Sequence, residues 1–233
     1  LDEKEGYAVL SNDIVVNYAG DGTCYALGIS ELKVTLYGNG KAVIGLVNEP
    51  LCQTLSGTVS NLTLRTYGGR MADTLSESGK VNTVAAISSF SETGAVAANN
   101  GTITDFVLYG TYLSAGIAQV NNGTIKGGKI YASSTDGYAF TEENNGKVEL
   151  SENFGAAAYA FVSSETGVIE NSVNHSTETW AYSGSDTDGI ATSLSIGTQN
   201  EKPYYTVFDT EGVKTETADV SANALKDTAF DFE

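Results

Sequence analysis

Proline is nearly missing from this chain: Pro50 and Pro203 are the only two in 233 residues. Cations are scarce as well. Lys and Arg together number 12 against 29 Asp and Glu, a net charge of −17, and the only arginines are Arg65 and Arg70. Binding a phosphate backbone needs clustered cations, so nucleic acid is excluded as a partner. No apolar run approaches 18 residues, which excludes a membrane-spanning helix. One His, one Trp and one Met are a poor kit for metal or redox chemistry, and no metal or cofactor is expected. Cys24 and Cys52 are the only cysteines. Two are too few for a disulfide framework, and no CxxC spacing points to zinc. They could form one bridge near the N-terminus of an extracellular protein, or remain two separate thiols. The opening LDEKEGYAVL has no initiator Met and no apolar leader core, as in a mature secreted chain.

What the chain does have is glycine, tyrosine and order. Gly makes up about 11% of the residues, above the average of roughly 7%. A hydrophobic content of 41% with 13 Tyr and 8 Phe is too high for a disordered chain. The length allows one or two domains, or one elongated one.

The order is a repeat. Gly57-Thr58-Val59, Gly79-Lys80-Val81, Gly101-Thr102-Ile103, Gly123-Thr124-Ile125, Gly146-Lys147-Val148 and Gly167-Val168-Ile169 are spaced by 22, 22, 22, 23 and 21 residues. Two residues after each glycine stands a β-branched residue: Val59, Val81, Ile103, Ile125, Val148 or Ile169. The next position is always polar, from Ser60 through Asn82, Thr104, Lys126 and Glu149 to Glu170. That alternation marks a strand with one buried face. Before the glycine an Asn pair occurs three times, at Asn99-Asn100, Asn121-Asn122 and Asn144-Asn145. Asn-Gly tolerates φ > 0, so Gly101, Gly123 and Gly146 are expected in tight turns. A second corner of small residues recurs at Gly94-Ala95, Gly116-Ile117, Gly137-Tyr138 and Ala158-Tyr159.

A sandwich would not return the same residue class to the same place every 22 residues. Each 22-mer is therefore expected to be one coil of a parallel β-helix, stacked about 4.8 Å above the last. The fold class is all-β, a single β-solenoid with coils of about 22 residues and irregular capping ends. Residues 1–56 break the register and read as an N-terminal cap or flanking coils. Residues 57–200 are the solenoid repeats, with a drift out of register after 176. Residues 201–233 read as a C-terminal cap or connector, with a short helix at Ala224–Asp227.

The units GIAQVNNGTIKGGKIYA (116–132), GYAFTEENNGKVELSENFG (137–155) and AYAFVSSETGVIENSVN (158–174) resemble the GLUG motif. That motif is a short Gly-aliphatic-aliphatic…Asn-x-Gly-x-Ile-x-Asn/Asp repeat of large bacterial secreted and surface proteins. Gly116, Ile117, Ala118, Asn122, Gly123 and Ile125 carry the match, which extends over residues 79–175. Tyr-Ala-Phe replaces the motif's usual Leu-Val-Gly at the first corner of the later units. The resemblance implies a β-solenoid segment of a longer cell-surface or secreted protein such as an adhesin, and implies no catalytic residues.

Chemistry has three places to reside. Eight residues after each repeat glycine stand Arg65, Ile87, Tyr109, Tyr131, Phe154 and His175. In stacked coils Tyr109, Tyr131 and Phe154 would form a ladder, either a platform for the C–H faces of sugars or a lateral packing device. Asp186-Thr187-Asp188-Gly189 matches part of a calcium loop but lacks its third acid and terminal Glu, as a solvated turn would. Carboxylates Asp105, Glu149, Glu152 and Glu170 occupy outward positions; two from neighbouring coils could reach glycosidase separation, or simply be solvated. His175 is the only His, and no nucleophile motif surrounds a Ser or Cys. The sequons at Asn61, Asn100, Asn122 and Asn174 read as by-products of the turn sequence. The expected function is a non-catalytic extracellular stalk or adhesive module whose partner is a surface glycan or a host or matrix component. The alternatives are a glycan-binding module and a carbohydrate-active β-helix enzyme.

Overall fold

The computed structural model describes residues 4–16, 27–90, 94–162, 166–182, 189–199 and 202–217. Those residues are all-β, without helix, and wind into a solenoid of about seven turns. The β-branched column is one continuous file. Ala8, Leu36, Val59, Val81, Ile103, Ile125, Val148, Ile169 and Ile190 pair each with the next in parallel register. From Leu36 onward every member is buried. A side chain such as Ile125, fully enclosed, contributes about 2–3 kcal/mol by its removal from water. That contribution exists only because a coil lies above and below it.

Two sheets of parallel stacked strands build most of the wall, and Tyr159–Phe161 with Trp180–Tyr182 forms a third of two strands. The larger contains the long strands Thr58–Tyr67, Lys80–Phe90 and Thr102–Tyr112, and continues as pairs of short ones. The smaller stacks Glu31–Leu32, Pro50–Leu55, Arg70–Leu75, Val96–Asn99, Ala118–Asn121 and Thr141–Asn144. The larger sheet is folded along a line four residues past each repeat glycine. There Asn61, Thr83, Asp105, Leu150 and Asn171 have φ between 50° and 53°, with Gly127 at 67°, and Thr192, next in register after Asn171, has φ of 48°. A left-handed residue at this point in each coil turns the strand and makes two faces of one sheet.

The repeat glycines are not the left-handed residues. Gly101, Gly123 and Gly146 are glycine because of close approach: a Cβ on each would lie 2.3, 2.1 and 2.1 Å from a carbonyl oxygen of the coil before it. The expectation of φ > 0 at these sites is corrected accordingly. The corner needs a bare backbone facing a carbonyl, not an unusual dihedral.

The first Asn of each pair points inward. Asn99 donates its side-chain amide to Asn121, and Asn121 to Asn144, both at 2.7 Å. All three are buried. The second Asn forms an outer file, Asn122 to Asn100 at 2.9 Å and Asn145 to Asn122 at 3.1 Å.

At the N-terminal side, Tyr7–Val9 and the strands from 31 to 55 belong to the same stack, as flanking coils of uneven length. At the other side the register does not drift after 176. Val173 pairs with Leu194, and Ile169 with Ile190, at the same 21-residue step. The strand Ser193–Gln199 then pairs antiparallel with Lys202–Phe208, which pairs with Lys214–Thr217. Buried Phe208 meets Phe161 and Tyr182 edge-on at 6.4 and 5.9 Å. The acidic tail with Ala224–Asp227 lies outside the described residues.

Candidate functional site

The face beyond the left-handed corner carries the aromatic column. The strand alternation that buries Leu64, Ala86, Leu108 and Ile130 drives the residues one position later outward. Arg65 pairs in register with Ile87, and Ile87 with Tyr109. Tyr109 and Tyr131 then stack at 5.1 Å and 8°, Tyr131 and Phe154 at 4.7 Å and 6°, Phe154 and His175 at 4.5 Å and 3°. The separation equals the coil spacing, so the rings are held parallel by the backbone repeat itself. Ile87, Tyr109, Tyr131 and Phe154 are 47, 45, 42 and 37% exposed.

The ladder therefore exists and faces solvent, but its geometry changes what it can do. Each ring covers the face of its neighbour, which leaves edges and the two Tyr hydroxyl tips outward. A sugar ring packs best against an open aromatic face. Within this file the faces are already occupied.

Beside the rings runs a short ion network. Lys129 Nζ lies 3.0 Å from a Glu152 oxygen, and the other Glu152 oxygen is 3.1 Å from His175 Nε2. Burial works to raise the Glu152 pKa, but hydrogen bonds with Lys129 and His175 outweigh it and leave the carboxyl below its ordinary value. The hydrogen bond to Glu152 raises the Lys129 pKa in return.

The other nominated carboxylates lie across the corner. Lys147 reaches Glu149 at 2.7 Å and Glu170 at 2.5 Å, and Lys126 reaches Glu149 at 3.1 Å. Hydrogen bonds from Lys147 and Lys126 hold Glu149 below the usual carboxylate range, and those to Glu149 and Glu170 push Lys147 up to about 12. Asp105 occupies the exposed corner itself. Glu149 and Glu170 are thus salt-bridged across coils, on a different face from Glu152, and the four do not converge.

Cys52 is a buried free thiol whose Sγ donates weakly to the Met71 carbonyl at 3.7 Å. Burial, reinforced by Asp73, pushes its pKa up to about 12. Cys24 lies outside the described residues, as does the acidic loop Asp186–Asp188. A recess of about 250 Å³ on the smaller sheet is lined by Asn48, Glu49, Pro50, Gln53, Arg70 and Asp73. Its guanidinium is closed onto Asp73, with Nε 2.7 Å from Oδ1. Among the described residues no group of three or more His, Cys, Asp or Glu is placed to hold a metal.

Two features escaped the sequence reading. The left-handed file was legible at Asn61, Asp105, Gly127 and Asn171, all tolerant residue types, but Thr83, Leu150 and Thr192 broke the pattern. The inward turn of Asn99, Asn121 and Asn144 was hidden because Asn-Asn-Gly reads as an exposed turn.

A scan against protein-family models, a search of curated proteins and a search of solved structures each find no match to this chain.

Proposed function

We propose that this chain is a non-catalytic β-solenoid segment of a longer bacterial surface protein, serving as an extracellular stalk or adhesive module. The observation that carries the reading is the unbroken file from Ala8 to Ile190. A protein built this way holds its two ends apart at about 4.8 Å per coil, which is the work of a spacer. The cross-coil bridges of Lys126 and Lys147 to Glu149 and Glu170 favour it over the enzyme, since they occupy the carboxylates that hydrolysis would need. The resemblance of residues 79–175 to the GLUG motif supports the bacterial surface setting.

Mild protease treatment of intact cells producing the full-length protein tests the location. Release of peptides from this segment without lysis is the expected result. Their recovery only after lysis would overturn the proposal.

A second reading, a glycan-binding module, is favoured by the solvent exposure of Tyr109, Tyr131 and Phe154. Binding would then use ring edges and hydroxyls, not ring faces. Replacing Tyr109 and Tyr131 together by Ala abolishes glycan-array binding if this reading holds; a wild-type chain that binds no glycan, or a variant that binds equally well, removes it.

A further inference from the structure

Four Asn-Gly pairs stand in the chain: Asn39-Gly40, Asn100-Gly101, Asn122-Gly123 and Asn145-Gly146. Such a pair is chemically labile in water, because glycine has no side chain to hinder attack by its nitrogen on the amide before it. The reaction needs that nitrogen free of its hydrogen bond. Hydroxide removes the N–H proton, and the nitrogen attacks the side-chain carbonyl carbon of Asn. A new C–N bond closes a five-membered imide. The old C–N bond breaks, and the amide nitrogen takes up a proton and leaves as ammonia. Water then opens the imide at either carbonyl, giving Asp or the β-linked isoaspartate. One water is consumed and one ammonia released, with no oxidation or reduction.

The fold treats the four pairs differently. Gly123 and Gly146 donate their N–H groups to the backbone carbonyls of Asn99 and Asn121 in the preceding coil, at 3.0 and 2.9 Å. Gly101 donates to the buried side-chain oxygen of Asn99 at 3.1 Å. The side chains that would be attacked are tied together in the outer file, and Asn145 also donates to Glu143 Oε1 at 2.7 Å. Each of these glycines lies against a carbonyl of the coil before it, so none can turn toward its Asn unless two coils separate.

The pair at Gly40 is held by much less. Its N–H donates to the Asn61 carbonyl at 3.0 Å, but Asn39 and Gly40 are both exposed. A Cβ on Gly40 would meet nothing within 4 Å. The Asn39 side chain has no hydrogen-bond partner among the described residues. Loss of one hydrogen bond at the tip of a turn frees this nitrogen, with no coil displaced.

We infer that Asn39 is the deamidation site of the folded chain, and that Asn100, Asn122 and Asn145 are latent sites exposed only when neighbouring coils part. This goes beyond the stalk reading and does not depend on it. A turn tip opens at little cost, whereas a stacked coil opens only against its neighbours. Conversion at Asn39 therefore records the age of the folded molecule, and conversion at Asn122 records how often its coils have opened.

Peptide mapping by mass spectrometry tests the assignment on the 233-residue chain, incubated folded at mildly alkaline pH and, in parallel, in concentrated urea at the same pH. In the folded chain Asn39 should convert at least about tenfold faster than the other three, with both Asp and isoaspartate peptides appearing. In urea the four rates should converge. Asn99→Ala removes the acceptor of the Gly101 N–H and should speed Asn100 relative to Asn145, whose glycine keeps the Asn121 carbonyl. The comparison of folded chain with urea decides the matter if that variant does not fold. A folded chain in which Asn122 converts as fast as Asn39 overturns the inference, as do rates whose order urea leaves unchanged. So does an Asn39 product that is Asp alone, which would mark direct hydrolysis without the glycine nitrogen.

Discussion

The side-chain amide of Asn99 donates to the side-chain oxygen of Asn121 at 2.7 Å, and Asn121 passes the same bond on to Asn144. The middle residue satisfies two neighbours at once while fully buried. Asn121→Ala strands a donor on one side and an acceptor on the other. Each unmet buried group costs about 1–3 kcal/mol, so the expected loss is about 2–5 kcal/mol in urea unfolding. A variant within 0.5 kcal/mol of the parent (about the scatter for surface substitutions) would show that the file contributes nothing.

Ile125 lies in the central file between Ile103 and Val148, with no solvent contact. Ile125→Asp places a carboxylate there with no partner, at a cost of several kcal/mol. Because each coil depends on its neighbours, the middle of the solenoid should lose structure together. Circular dichroism at rising temperature checks this; an unshifted transition contradicts the assigned register.

Leu150 offers the opposite sign. It holds φ of 51° with half of its surface exposed, a conformation that disfavours ordinary L residues by about 1–2 kcal/mol. Asn adopts it readily. Leu150→Asn is expected to stabilise by about 1 kcal/mol and to raise Tm by about 2–4 °C for a chain of this size. Thr83→Asn, at φ of 53°, tests the same idea at the same corner three coils earlier, away from the ion pairs.

The bridges of Glu149 set a pH window. Its folded pKa lies below the ordinary 4.5, so its contribution is present above that value and is lost as pH falls through the folded pKa. Lys147 runs the other way: raised from 10.5 to about 12, its contribution is present below 10.5 and fades as pH rises through about 12. Stability should be level between these limits and fall outside them. Glu149→Gln should lower the neutral plateau slightly and reduce the acid-side fall. If parent and variant keep the same spacing in urea midpoint from neutral pH to pH 3, the carboxylate pairing is absent in solution.

The solenoid was legible because its driving force is itself periodic. Val59, Val81, Ile103, Ile125, Val148 and Ile169 must meet like neighbours, and an aliphatic side chain recurring at that step fills the file. The ladder of Tyr109, Tyr131 and Phe154 followed from counting alone. What the sequence hid was direction and contact. Nothing in Asn-Asn-Gly says which amide turns inward, since that depends on how closely a carbonyl of the preceding coil crowds Gly123. Nor does a column of aromatics say that its members will cover one another's faces. The irregular steps before residue 57 concealed coils that pair in parallel with the rest, across a register shift between Ile44 and Val47.

The inner side of the larger sheet changes character along the axis. The positions that hold Leu62 and Leu64, Val84 and Ala86, then Phe106 and Leu108 in the earlier coils hold Ser151 and Asn153, then Ser172 and Asn174, then Ser193 and Ser195 in the later ones. A hydroxyl or amide can trade its protein partner for water with little loss, whereas a phenyl ring cannot. Along this sheet melting should therefore have a direction, with the hydroxyl-lined coils opening before those that hold Leu64 and Phe106. Deuterium would enter the amides around Asn153 and Asn174 well before those around Leu64 and Phe106.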